Sequence, residues 1–158
     1  LSAQEVSRLG YDIQALPEVI KPHFNARDMM QGGEHCYIID LYGLTEQEAL
    51  QQHPALYQWL HDRVKPEREQ NNRKSYREKW WIFGEPRGKL RRSMGDLQRF
   101  IITAETAKHK AFCFQAQPFC PDHTLYAICS DDAFVLGVLS SAVHVSWSVR
   151  AGGRLARA

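Results

Sequence analysis

The residues best equipped for chemistry in this chain crowd into one stretch. Between Arg63 and Lys110 stand fourteen of the twenty Lys and Arg side chains against six of the eighteen acids, a net charge of +8. Residues 1–62 sum to −6 and residues 111–158 to zero, so the whole-chain charge of +2 conceals a strong segregation. Tyr76, Trp80, Trp81 and Phe83 are interleaved with the cations. Clustered cations with aromatics between them suit a nucleic-acid surface, and a solvated, ion-paired helix face has the same composition. Arg presents a planar fork that clamps phosphate or reads guanine, and Lys is a point charge for phosphate. Asn and Gln, here Gln70, Asn71 and Asn72, match adenine bidentately. Tyr76 and the Trp pair could stack on a base. A strand through Trp80-Trp81 would instead send at least one indole into the core, because neighbouring strand residues face opposite ways.

Other chemistries find little support. The sequence holds no glycine-rich dinucleotide loop, no Walker-type phosphate loop and no Gly-x-Ser-x-Gly nucleophile turn. Asp131-Asp132 reads as a helix cap, and Glu67 and Glu69 as ion-pair partners of the surrounding cations. His109, between Lys108 and Lys110, is the histidine in the most suggestive setting. Cys36, Cys113, Cys120 and Cys129 form no Cys-x-x-Cys pair, which reads as free thiols in a reducing compartment. Cys120-Pro-Asp-His123 with its flanking cysteines fits no standard zinc spacing.

Several elements must position the cationic stretch. Cys36–Tyr42, Lys79–Phe83, Arg99–Thr103, Ala111–Phe114 and Thr124–Cys129 read as strands. Residues 1–20 are mixed, and Lys21–Asp28 reads as irregular because of Pro22 and Asn25. Arg27 and Asp28 form a candidate ion pair. Thr45-Glu46-Gln47-Glu48 is a capping box that starts a helix, and His53-Pro54 restarts it. Leu56, Trp59, Leu60 and Val64 then share one face, and Lys65-Pro66 is expected to end the element. Glu67–Lys79 fits either an exposed helix or an ordered loop, and a short basic helix is expected over Pro86–Leu97. Ala133 to Val149 is an uncharged run of seventeen residues, expected as one apolar helix packed into a core and not as a membrane span. Elements come in clumps, which predicts an α+β fold: a small mixed or antiparallel sheet, flanking helices and a C-terminal apolar helix.

Several segments resemble the target-recognition domain of MmeI-like restriction–modification enzymes, of type IIG and IIL, which are related to adenine-specific class I DNA methyltransferases. They are Lys21–Asp28, Tyr37–Asp40, Arg63–Arg68 with Asn72-Arg73, and above all Tyr76-Arg77-Glu78-Lys79-Trp80-Trp81-Ile82-Phe83-Gly84-Glu85-Pro86-Arg87. Arg99–Thr103, Lys108-His109, Gly137–Ser141, His144 and Trp147 follow in order. Lys110 stands where the family pattern has Arg. The resemblance implies one DNA-recognition domain over residues 1–158, a piece of a longer cytoplasmic bacterial protein. It implies no cofactor in this piece and S-adenosylmethionine in the parent's methyltransferase domain, which methylates adenine N6. The partners implied are double-stranded DNA and that methyltransferase domain, with no membrane. The candidate DNA-binding residues are Arg68, Asn71, Asn72, Arg73, Lys74, Arg77, Arg91, Arg92, Lys108, His109 and Lys110. Asn71 and Asn72 are the adenine readers of this set. The rival readings are a protein-interaction module docking through Ala133–Val149, and a small nuclease.

Overall fold

The computed structural model describes residues 1–33, 36–107 and 109–151. In chain order its elements are α1 (Ala3–Arg8), β1 (Ile20–His23), α2 (Ala26–Gln31), β2 (Cys36–Ile39), α3 (Glu46–Gln52), α4 (Pro54–Arg63), α5 (Lys65–Glu69), α6 (Lys74–Glu78), α7 (Gly88–Met94), β3 (Arg99–Ala104), β4 (Phe112–Ala116), β5 (Leu125–Ile128), α8 (Ala133–Ser140) and α9 (Ala142–Ala151). The fold is α+β, with two small antiparallel sheets and flanking helices. The chain divides into two compact units, Leu1–Pro22 with His35–Gly88 and His23–Glu34 with Lys89–Ala158.

The first unit is built from helices around the β1–β2 pair. Its core gathers Val6, Ile20, Tyr37, Ile39, Leu41, Ala49, Leu56, Leu60 and Trp80. Thr45 caps α3 as expected: its hydroxyl accepts from the Glu48 amide, and the Glu48 carboxylate accepts from the Thr45 amide at 2.7 Å. Ser2 and Glu5 form the same reciprocal cap at α1, so the N-terminal segment is ordered and not merely mixed. Pro54 occupies the first turn of α4, where its missing N–H costs no hydrogen bond. Leu56 and Leu60 of α4 are buried, with Trp59 and Val64 packed beside them. The chain breaks at Val64 as expected, yet helix resumes at once in α5 with Pro66 in its first turn.

The second unit carries the three-stranded antiparallel sheet, ordered β4-β3-β5. Ile102 of the central strand lies opposite Cys113 on one side and Ala127 on the other. Met94, Phe100, Ile102, Phe119 and Leu125 form its core, with Phe24 and Met29 packed against them. Lys21–Asp28 is not irregular. It holds β1 and the start of α2, whose cap is a third box, Asn25 with Asp28. Asp28 therefore caps the helix while Arg27 reaches Gln31 at 3.2 Å, in place of the candidate ion pair between them.

Two other expectations fail. Lys79–Phe83 is a turn and bend after α6, not a strand. Ala133–Val149 is two helices, bent by 59° at Ser141, and neither has a buried residue. Phe134 is 76% exposed, Val143 82% and Trp147 65%, so this segment is not core. Asp132 does cap α8, its carboxylate accepting from the Phe134 amide at 2.7 Å. Among the described residues no single helix is long and apolar enough to cross a membrane; the bent α8–α9 pair passes by length and composition alone.

Candidate nucleic-acid interface

The cationic stretch falls on both compact units, with Arg63–Arg87 in the first and Lys89–Lys110 in the second. In the first unit α5 and α6 are helices of five residues, too short to persist on their own hydrogen bonds. What holds this region is the segment just beyond α6. The Trp80 indole N–H donates to Glu46 Oε1 at 3.1 Å, and the Tyr57 hydroxyl donates to the same oxygen at 2.9 Å. Burial and then this hydrogen bond raise the Tyr57 pKa, which keeps the hydroxyl a donor. The Trp81 indole N–H donates to the Leu44 carbonyl at 3.0 Å. Trp80 is buried, with Tyr57 and His61 edge-on to it and the Lys65 ammonium over its ring. Core burial of a Trp is as expected, but by a turn and not by strand alternation. Trp80 anchors the basic region and is not available to stack on a base.

Tyr76 organises the cations themselves. The Arg68 guanidinium lies over its ring at 4.6 Å and that of Arg73 at 5.5 Å. Asn71 fixes the intervening turn: its side-chain oxygen accepts from the Arg73 amide at 2.9 Å, and its carbonyl accepts from Arg77 Nη1 at 2.6 Å. Asn72 is exposed. Lys74 pairs with Glu78 at 3.4 Å on the surface, an arrangement of small energetic weight. Glu85 lies 3.0 Å from Arg87 and 3.9 Å from Arg73. Four of the candidates (Arg68, Asn71, Arg73 and Arg77) thus come together around one turn, with Asn72 and Lys74 beside them in sequence.

Gly84 makes this possible. A Cβ there would stand 2.1 Å from Tyr76 Cζ, so the ring lies directly against the glycine. Gly84→Ala is expected to drive the ring away from Gly84 and so unseat it from Arg68 and Arg73. The strain should cost about 1–3 kcal/mol in a urea unfolding series, as overpacked sites do. An unchanged midpoint would mean that the Tyr76 ring moves freely.

The remaining candidates belong to the second unit. Arg91 and Arg92 lie in the last turn of α7, where cations complement the helix dipole. Arg92 is exposed and Arg91 partly buried. His109 is exposed, and the Lys110 ammonium donates to the Glu105 carbonyl at 3.3 Å. Lys108 lies outside the described residues. Near them, the Tyr126 hydroxyl donates to Glu105 Oε1 at 3.1 Å. That bond raises the Tyr126 pKa. Arg99 covers the Phe114 ring at 3.8 Å and donates to the Asp131 carbonyl, a structural use of a cation from the basic stretch.

Comparison with solved structures finds one likeness over almost the whole chain. The structure is of the type IIL restriction-modification enzyme MmeI in complex with DNA, with a TM-score of 0.67 and 16% sequence identity. The two share a fold. The match covers 98% of this chain and 20% of the other, so this chain spans about a fifth of that protein. No family model and no curated protein matches the sequence. Among the described residues no group of three His, Cys, Asp or Glu side chains is placed to hold a metal ion. The Cys120–His123 segment uses its groups locally. His23 Nδ1 is 2.9 Å from the Cys120 carbonyl, and Asp122 accepts from the Thr124 amide and hydroxyl. Partial burial alone would raise the Asp122 pKa, but the Thr124 hydrogen bonds and His123 outweigh it and the pKa is lowered.

The sequence pointed to Arg68, Arg73 and Arg77, but not to Glu46, Gly84 and Glu85, which set their geometry. The only available signal was the Gly84-Glu85-Pro86 turn. Which ring Gly84 meets depends on tertiary structure.

Proposed function

We propose that this chain is a sequence-specific double-stranded DNA recognition module of an S-adenosylmethionine-dependent adenine-N6 methyltransferase of the restriction–modification type. The chemistry belongs to other parts of the parent protein, and this piece carries no catalytic centre. The observation that carries the reading is the Arg68–Asn71–Arg73–Arg77 cluster around Tyr76, on a fold similar to a piece of a DNA-complexed restriction–modification enzyme. Exposed cations such as Lys74 would neutralise phosphates, and a smaller ordered set would read base edges. Arg91, Arg92, Lys108, His109 and Lys110 would be the DNA contacts carried by the second unit itself. The parent's methyltransferase domain would bind the cofactor and act on the base, in a cytoplasmic protein.

Titrating the 158-residue chain with labelled duplex across a salt series tests this. The logarithm of affinity should fall linearly with the logarithm of salt, and Lys74→Ala should reduce that slope by about 0.9 on every duplex. Salt-insensitive binding, or none, would overturn the DNA reading. Cleavage or methylation of the duplex by the chain alone would overturn its non-catalytic part.

A second reading is favoured by one observation, the exposure of Phe134, Val143 and Trp147 on α8 and α9. An apolar face of this kind suits a protein interface. It is compatible with the first reading if the covering surface is the methyltransferase domain of the same parent.

A further inference from the structure

We propose that Tyr76 is a positioning residue that holds Arg73, braced by Arg68, as a fork that reads guanine in the major groove. The inference rests on the DNA-recognition reading above and names which cation reads a base.

The cations of the first unit are held in different ways. Lys74 stands 77% exposed on a four-carbon stem, paired at 3.4 Å with Glu78, itself 60% exposed. Arg63 leans on the Trp59 ring and pairs with Glu5 at 3.2 Å. Arg77 spends a guanidinium N–H on the Asn71 carbonyl. Arg73 combines a hydrogen-bonded backbone and a guanidinium lying over a ring with a side chain that is still 67% exposed. Its amide is held by Asn71, and its guanidinium lies over a ring that Gly84 backs.

That combination suits a base edge better than a phosphate. A phosphate contact tolerates a mobile point charge, and Lys supplies one. Guanine presents O6 and N7 as two acceptors in one plane, and meeting both needs a planar fork already aimed. A ring under the guanidinium provides the plane and removes rotamer freedom before binding.

The charge balance points the same way. Arg68 and Arg73 share one ring, and like charges on one ring repel. The carboxylate that reaches Arg73, Glu85 at 3.9 Å, is drawn closer to Arg87 at 3.0 Å. Two guanidiniums share the Glu85 carboxylate and a third lies on the same ring, which leaves donors for an acceptor-rich ligand. Each Arg brings five N–H groups.

A pool of duplexes with a randomised central segment, enriched on the wild-type chain, supplies the probe. Affinities are then measured for the enriched duplex and its single-base variants. Wild type and Tyr76→Phe, which keeps the ring, should share a preference for guanine at one position. Tyr76→Leu and Arg73→Lys should lose about 10- to 100-fold of discrimination at that position alone, the range expected of one bidentate contact. Their salt slopes should stay at the wild-type value, since neither change removes a cation. An equal loss on every duplex, or a reduced slope, would make the pair a phosphate clamp and overturn the proposal. Should Tyr76→Leu fail to fold, Arg73→Lys still tests the base contact, and Gly84→Ala, which displaces the ring, tests the positioning by Tyr76 with the same expected loss at that position. Absence of salt-dependent binding by the wild type would instead overturn the DNA reading itself.

Discussion

Phe100→Ala is expected to cost the second unit about 3–5 kcal/mol, the usual range for emptying a buried aromatic site. Phe100 is 0% exposed and sits among Met94, Ile102, Phe119 and Leu125. Its ring centroid lies 6.3 Å from that of Phe119, which is itself 4.5 Å from Phe24. The chain brings these rings together from residues far apart in sequence, and a small unit has few other apolar groups to collapse into the gap. A domain is stable by only about 5–15 kcal/mol in total, so the loss is a large fraction. Hydrogen exchange at the Ile101 and Thr103 amides of β3 reads this unit directly. Protection there should fall by roughly two to four powers of ten, because each 1.4 kcal/mol is tenfold. Val143→Ala, at a position 82% exposed, should change it by no more than about 0.5 kcal/mol. A Phe100 variant that matches the Val143 control would mean that the ring is not part of a packed core.

The contrast between those positions explains what could be read from the sequence. Local signals held wherever the competing structure was also local. The Thr45–Glu48 box, the Asp132 cap and the strands at Arg99–Ala104 and Leu125–Ile128 are where their residues put them. The Asn25–Asp28 box carried the same information, but Pro22 and Asn25 argued for irregular chain, and the tertiary fold decided between them. Lys79–Phe83 misled for another reason. A short apolar run has too few residues for its period to tell strand from turn, and here the two indole N–H groups find acceptors on Glu46 and Leu44. Hydrophobicity of Ala133–Val149 was plain in the sequence, yet composition does not say what covers a face. The break is at Ser141, whose extended backbone (φ −64°, ψ 147°) separates α8 from α9. Charge was legible as a continuous stretch. That it spreads over two compact units, and that Arg99 serves the sheet while Arg73 lies on Tyr76, follows from contacts the sequence does not display.

Lys21→Met is the corresponding test in the first unit. Lys21 Nζ lies 2.6 Å from Asp40 Oδ2, with the Asp40 side chain 1% exposed and that of Lys21 24%. Asp40 follows β2, and its amide donates to the Val19 carbonyl at 2.7 Å, so the pair ties the end of β2 to the start of β1. Coulomb attraction between two such groups is offset by the cost of drying them, which makes the intact pair a poor guide to net stability. Removing one partner is a different matter. Methionine keeps most of the aliphatic stem but takes the charge from beside a carboxylate that water does not reach. The expected cost is about 3 kcal/mol, the low end for a broken buried pair because the ammonium keeps some contact with solvent. Adding Asp40→Asn removes the carboxylate charge at nearly constant shape, so the double variant should recover more than half of the loss. Urea midpoints for the four members of this cycle give the coupling directly. A single-variant cost under about 1 kcal/mol would put the pair with ordinary surface bridges. The double-variant arm isolates the charge effect: if Asp40→Asn restores nothing, the unbalanced charge of Asp40 is not the source of the loss.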